Sequence, residues 1–273
     1  AYPKNKRVPN AKHHLGVCFV QQKKFTEAVK TFREILAQFP QFESNDSTQF
    51  NLALALYNTA LITKKPADFQ QAVAMFRELP AKYASSNLVP TALYYQAECL
   101  CLAGDLNAAV PVYKLMITGH AKHRLVPRVY QALGETLGDL DRDQEASVAL
   151  REFITKFPKD PAFNEGQLRL GLSLMKQGEF SQAHGLFAKV TVVKDFPLAD
   201  FALIKQAESL YGQKKEPQAA ALYESLAARF PMSGYLGAAY LSAGKCRYRA
   251  SQFPNAQANL TQVITRKLPE APE

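Results

Sequence analysis

The chain has 273 residues, 47 % hydrophobic and 21 % charged, with 13 glycines and 16 prolines. That is an ordinary globular composition, long enough for one large domain, two domains or a repeat array. No apolar run of about 18 residues is present to span a membrane as a helix, and the first residues lack a basic-then-apolar signal segment. The net charge of +9 raises nucleic acid as a partner. Residues 126–163, however, hold seven acids against five Lys/Arg, so the excess reads as solvated helix faces rather than a continuous cationic track.

In chain order, the first forty residues read as two amphipathic helices, over about 9–22 and 26–38. Phe25, Val29, Phe32 and Leu36 recur at helical spacing, with Lys30, Arg33 and Glu34 on the other side. The same layout returns down the chain. Alanine is followed four residues later by an aromatic or leucine at Ala28/Phe32, Ala72/Phe76, Ala109/Tyr113, Ala146/Leu150, Ala183/Phe187, Ala219/Tyr223 and Ala256/Leu260. The intervals between the alanines are 44, 37, 37, 37, 36 and 37 residues. A second marker keeps the same step: Gly16, Ala53, Ala97, Gly134, Gly171, Ala207 and Gly244 each lie twelve residues before their alanine, except Ala53, which lies nineteen before. The extra length in the second unit falls around TALITKKPADF (59–69), as two helical turns or a turn plus a longer loop. Breaks fall at AGDLN (103–107), FPKDP (157–161), QGEFS (177–181) and FPMSG (230–234).

A pair of helices of about 14 residues cannot bury both faces unless neighbouring pairs stack against it. The small marker is expected to sit at the close crossing inside each pair. The aromatic one turn beyond the alanine is expected to fill space toward the next pair. The sequence therefore predicts an all-α solenoid of about seven helix-turn-helix units, over 9–40, 47–84, 90–121, 127–158, 164–197, 200–231 and 237–268. Residues 1–8 copy the layout of the link at 156–163, and are expected to be the link from a preceding unit. Residues 269–273 are expected to be a tail.

Cys18, Cys99 and Cys246 each fall two residues after a small marker, a slot that elsewhere holds Ala55, Thr136, Ser173 and Ser209. They are expected to pack as compact hydrophobes. Cys99 and Cys101, two apart on a helix, point to nearly opposite sides. His13-His14 diverge on their helix, and His120/His123 in GHAKHR (119–124) read as a solvated linker without a completing ligand. The acidic run DLDRDQE (139–145) lacks the glycine and closing glutamate of a calcium loop and reads as charge complementing a helix start, with Asp143 or a neighbour capping. No phosphate loop, nucleophile elbow or kinase set occurs. The chain is expected to be non-enzymatic, with no cofactor and no metal.

Leu15, Gly16, Phe19, Phe25, Ala28, Phe32 and Pro40 resemble the tetratricopeptide-repeat pattern position for position, and Leu170, Gly171, Leu174, Gly178, Phe180, Ala183 and Phe187 do nearly as well. The resemblance covers essentially the whole chain and implies a right-handed α-α superhelix. The links KYASSNLVPTALYYQAE and KFPKDPAFNEGQLRLG resemble those of bacterial cell-envelope members of the family, such as the lipoprotein of the outer-membrane β-barrel assembly machine and the periplasmic partner of the Tol–Pal system. In that family the first helices line a concave groove. Projection from the markers puts Tyr57, Tyr94, Glu98, Gln131, Glu135, Glu208, Tyr211, Lys245 and Tyr248 in it. The family's chaperone-tail binders hold a terminal carboxylate with lysine and asparagine. His13/Val17 and Phe50/Leu54 stand in those slots here, which argues against that activity.

The expectation is a scaffold that binds a protein or peptide segment, with the glutamates favouring a basic or neutral one, and a place in the envelope implied by the links. Two other readings are a nucleic-acid-binding helical repeat and a targeting or regulatory segment of a larger enzyme.

Overall fold

The computed structural model describes residues 7–265, so the expectations for residues 1–6 and 269–273 lie outside the described residues. Among the described residues there are fourteen helices and no strand. The chain divides after Leu140 into two compact units. The first holds α1 (Arg7–Gln21), α2 (Phe25–Gln38), α3 (Asn45–Thr63), α4 (Pro66–Lys82), α5 (Val89–Leu102), α6 (Leu106–Gly119) and α7 (Val126–Asp139). The second holds α8 (Asp143–Lys156), α9 (Phe163–Lys176), α10 (Phe180–Val190), α11 (Ala199–Gly212), α12 (Glu216–Arg229), α13 (Leu236–Arg249) and α14 (Phe253–Thr265). Within each unit every helix packs on its neighbours in sequence, and α1 also reaches α3 as α9 reaches α11. Helix α1 starts two residues before Pro9, because proline in a first turn lacks only an N–H that has no intrahelical partner there.

Close packing explains the small markers. A Cβ added to Gly16 would meet Phe32 Cε1 at 2.5 Å, one added to Gly171 would meet Phe187 Cε1 at 2.5 Å, and one added to Gly244 would meet Leu260 at 2.7 Å. The aromatic one turn after the alanine therefore plugs the marker of its own helix pair. That corrects the expectation that it reaches mainly toward the next one. Phe76 does both jobs, since its ring also stacks on Tyr95 of α5 at 5.7 Å. The crossings between pairs are as tight, with Gly166 against Phe153 and Gly212 against Phe180. A further core position recurs seven residues after the repeated alanine: Ile35, Leu79, Met116, Phe153, Val190 and Leu226 are all 0 % exposed.

The turns inside the pairs share one backbone device. Lys23, Lys64, Gly104, Asp141, Gly178, Lys214 and Ser251 each hold a positive φ, one per turn, which reverses the chain within two or three residues. Only two of these seven are glycine, the residue that adopts this conformation without strain. The extra length of the second helix pair goes into both its helices. Helices α3 and α4 have 19 and 17 residues where most others have 14, and only Lys64 and Lys65 remain between them.

Candidate protein-binding faces

In the first unit the projected residues are largely absorbed by an aromatic and polar cluster. Its centre is Tyr95 of α5, whose ring lies 5.4 Å from Tyr57, 6.3 Å from Phe50 and 5.3 Å from Tyr94. The projection does not find Tyr95, and the signal that could have done so is the adjacent tyrosine pair. Tyr94 is 4 % exposed, with the Arg128 guanidinium 5.4 Å from its ring. It therefore offers a partner almost no surface. Glu98 accepts a 2.6 Å hydrogen bond from the hydroxyl of buried Tyr113. A buried phenol needs such an acceptor, so Glu98 is occupied by the core rather than presented as a free charge. Burial first, and the Glu98 carboxylate second, push the Tyr94 and Tyr113 hydroxyls far above their usual titration range. Burial also raises Tyr57. Gln131 is half-buried and Glu135 exposed on α7.

The second unit presents a different face. On α9 and α11, Leu168 and Ile204 are buried. Tyr211, at the end of α11, is 37 % exposed, and on α13 Leu241 and Tyr248 are 39 % and 64 % exposed. Glu208 is paired with Lys205 at 2.8 Å. Lys245 is exposed. Arg249 lies 5.3 Å over the Tyr211 ring and donates a hydrogen bond to its hydroxyl. Tyr248 meets Phe253 edge-on at 5.6 Å. Beneath this face Arg247 grips Glu224 with both ends of its fork, at 2.9 and 2.5 Å, and Asn259 Nδ2 donates to the same carboxylate at 2.7 Å. That ties α12, α13 and α14 together. Hydrogen bonding from Arg247 holds the Glu224 carboxyl below its ordinary value and raises the guanidinium in turn.

The cysteines and histidines differ in burial and contacts, with corrections to their expected roles. Cys99 is fully buried, and burial with Glu98 nearby pushes its thiol up to about 12. Cys246 is buried too, but Cys18 is exposed, because α1 has no earlier helix over that side among the described residues. Cys101 lies 3.4 Å from Thr136 Oγ1 and 3.8 Å from the Tyr113 hydroxyl. His123 is no idle linker residue: its Nδ1 accepts the Leu125 N–H at 3.3 Å, which fixes the turn into α7. Asp143 sits in the first turn of α8 and complements its dipole, but no side chain caps that helix. Among the described residues no three His, Cys, Asp or Glu side chains converge on a metal position, and no helix is long and apolar enough to cross a membrane.

Two family models, each described as Tetratricopeptide repeat, match this chain, one over residues 11–41 and 48–86 and the other over 168–234. Together they take in half of its length. The chain is a tetratricopeptide-repeat protein. Solved structures agree at the level of fold. The C-terminal part of a repeat-containing protein from Cytophaga hutchinsonii aligns with TM-score 0.68 and 15 % identity over 92 % of this chain and 94 % of that one. A tetratricopeptide-repeat protein from Parabacteroides merdae gives 0.57 and 14 % over 94 % and 92 %. The apo form of RapI gives 0.67 and 9 % over 94 % and 75 %. No curated protein sequence matches. Tetratricopeptide repeats in general mediate protein–protein interaction, and this repeat protein is an all-α helical solenoid of that kind.

Proposed function

We propose that this tetratricopeptide-repeat protein is a non-enzymatic scaffold that holds a segment of another protein against its first-helix faces. The observation that carries the reading is the exposed stripe on α13. Leu241, Lys245 and Tyr248 stand exposed at helical spacing, with Tyr248 braced edge-on by Phe253, and aromatic and aliphatic groups left in solvent at such spacing suit a docked segment. Tyrosines supply large contact area at small cost in rotamer entropy. The likeness of the links to those of envelope members supports work within a larger complex of the cell envelope.

Photo-crosslinking tests this. A benzophenone side chain placed at Tyr248 should trap a protein in cells, and the same group at Leu115 on α6, also exposed, should not. Trapping from Leu115 alone would move the binding face to the second helices and refute the proposal.

A further inference from the structure

We infer that the face formed by α11 and α13 docks an acidic segment of a partner protein through its carboxylates and one aromatic or large aliphatic side chain. This deepens the scaffold reading and rests on it. It also reverses the preference for basic or neutral segments that the glutamates alone suggest.

The first ground is the balance of charge. Helix α13 carries Lys245, Arg247 and Arg249 and no acid, and α14 carries no charged residue at all. Arg247 is neutralised by Glu224 at 2.5 Å. On α11, Glu208 is neutralised by Lys205, and Asp200, at the start of the helix, accepts from Ser233 at 2.7 Å. Glu216 stands in the first turn of α12, where its charge complements that helix's N-terminal dipole. Lys245 and Arg249 are left with no carboxylate within ion-pair distance among the described residues, so the local field is positive where the apolar groups are exposed.

The second ground is preorganisation. Arg249 is held by Tyr211 twice, through its ring and through its hydroxyl. This uses one N–H of five and leaves the rest of a fixed fork for an incoming carboxylate. A guanidinium already positioned loses less freedom on binding than a loose one.

The third ground is the apolar lining beside those charges. Leu241 and Tyr248 flank Lys245 on one side of α13, and the Phe253 ring stands against Tyr248. An aromatic or leucine side chain can lie there while its acidic neighbours meet Lys245 and Arg249. The glutamates that seemed to forbid acidic partners do not oppose this. Glu98 and Glu135 belong to the other unit, Glu98 bonded to Tyr113, and Glu208 is cancelled by Lys205.

Selection of random short peptides displayed on phage against the full chain tests the inference. The selected peptides should carry Asp or Glu around one aromatic residue or leucine. Binding should fall about tenfold or more in the double variant Lys245→Glu, Arg249→Glu, and similarly in Tyr248→Ala. All three positions are exposed, so helicity should not change. Peptides that bind tightly, but are basic or indifferent to both variants, would overturn the docking surface and leave the scaffold reading standing. Failure to select any peptide, together with no crosslink from Tyr248, would overturn both. Binding of a random single-stranded oligonucleotide that the charge reversal abolishes, with no acidic peptide retained, would assign the face to nucleic acid instead and overturn the inference.

Discussion

Adding one methyl group to Gly171 should destabilise the second unit although every propensity scale favours it. The new Cβ would lie 2.5, 2.8 and 3.1 Å from three carbons of the Phe187 ring, where carbon contacts normally settle at about 3.5–4.0 Å. The shortfall is therefore about 1 Å. Phe187 is 0 % exposed, packed among Leu150, Leu170, Leu174, Ala183 and Val190, so the ring has nowhere to turn and the two helices must part. Overpacking of this kind costs about 1–3 kcal/mol. Replacing a mid-helix glycine with alanine returns about 0.5–1 kcal/mol, which leaves a net loss of up to about 2.5 kcal/mol and a gap of about 1–3 kcal/mol to an unhindered glycine. Gly185 of α10 is the internal control, because nothing lies within 4 Å of its added Cβ. Gly185→Ala should gain the propensity term alone. Urea unfolding followed by circular dichroism reads both variants. Pairing Gly171→Ala with Phe187→Leu should recover part of the loss as a coupling energy. If Gly171→Ala proved as stable as Gly185→Ala, the small marker would not be a steric requirement and the account of the repeat's crossing would fail.

The turns offer a backbone test without sterics. Gly178 has φ +78° and no atom within 4 Å of an added Cβ, so Gly178→Ala should cost about 1 kcal/mol through left-handed strain alone, whereas Lys214→Gly, at φ +60°, should be neutral or stabilising in the same unfolding assay. Arg247→Met removes the fork that holds Glu224 and should cost about 1.5–3 kcal/mol, the range for hydrogen bonds to charged groups. Because the Glu224 pKa is lowered in the fold from 4.5, its stabilisation is present above that value and is lost as pH falls through the folded pKa. An acid titration of stability should show that loss in the parent and a shallower one in Arg247→Met. Burial lowers the pKa of His13 and of His123 below 6.5, so the neutral forms belong to the fold. Stability should be complete above about pH 6.5 and decline below it, more weakly in His123→Asn, as Tm measured across that interval would show.

Pattern carried the fold further than it carried the face. Seven alanines at a nearly constant step, and a small residue twelve ahead of most of them, can be satisfied by one arrangement of stacked helix pairs, because close crossings forbid large side chains whatever the surroundings. The recurrent apolar position at alanine-plus-seven has no sequence signature because Ile, Leu, Met, Phe and Val all fill it, and burial alone unites them. The left-handed turns are hidden for a similar reason: lysine, aspartate and serine hold five of the seven, and glycine only two.

The side chains of the face depended on what else reached them. Sequence spacing placed Glu98 and Glu208 as equivalent acids on equivalent helices. Only the packing showed that one accepts from the Tyr113 hydroxyl and the other pairs with Lys205. It placed Tyr94 and Tyr248 as like anchors, two turns apart in register, yet one is buried beside Tyr95 and the other stands in solvent. The sequence by itself determined the helix pairs, their step and the sites where no side chain could fit, because these follow from periodicity and backbone geometry along a single chain. Tertiary structure alone decided which charges are spent inside and which stay exposed, because a hydrogen bond such as Arg249 to Tyr211 joins residues 38 positions apart and leaves no mark on local sequence.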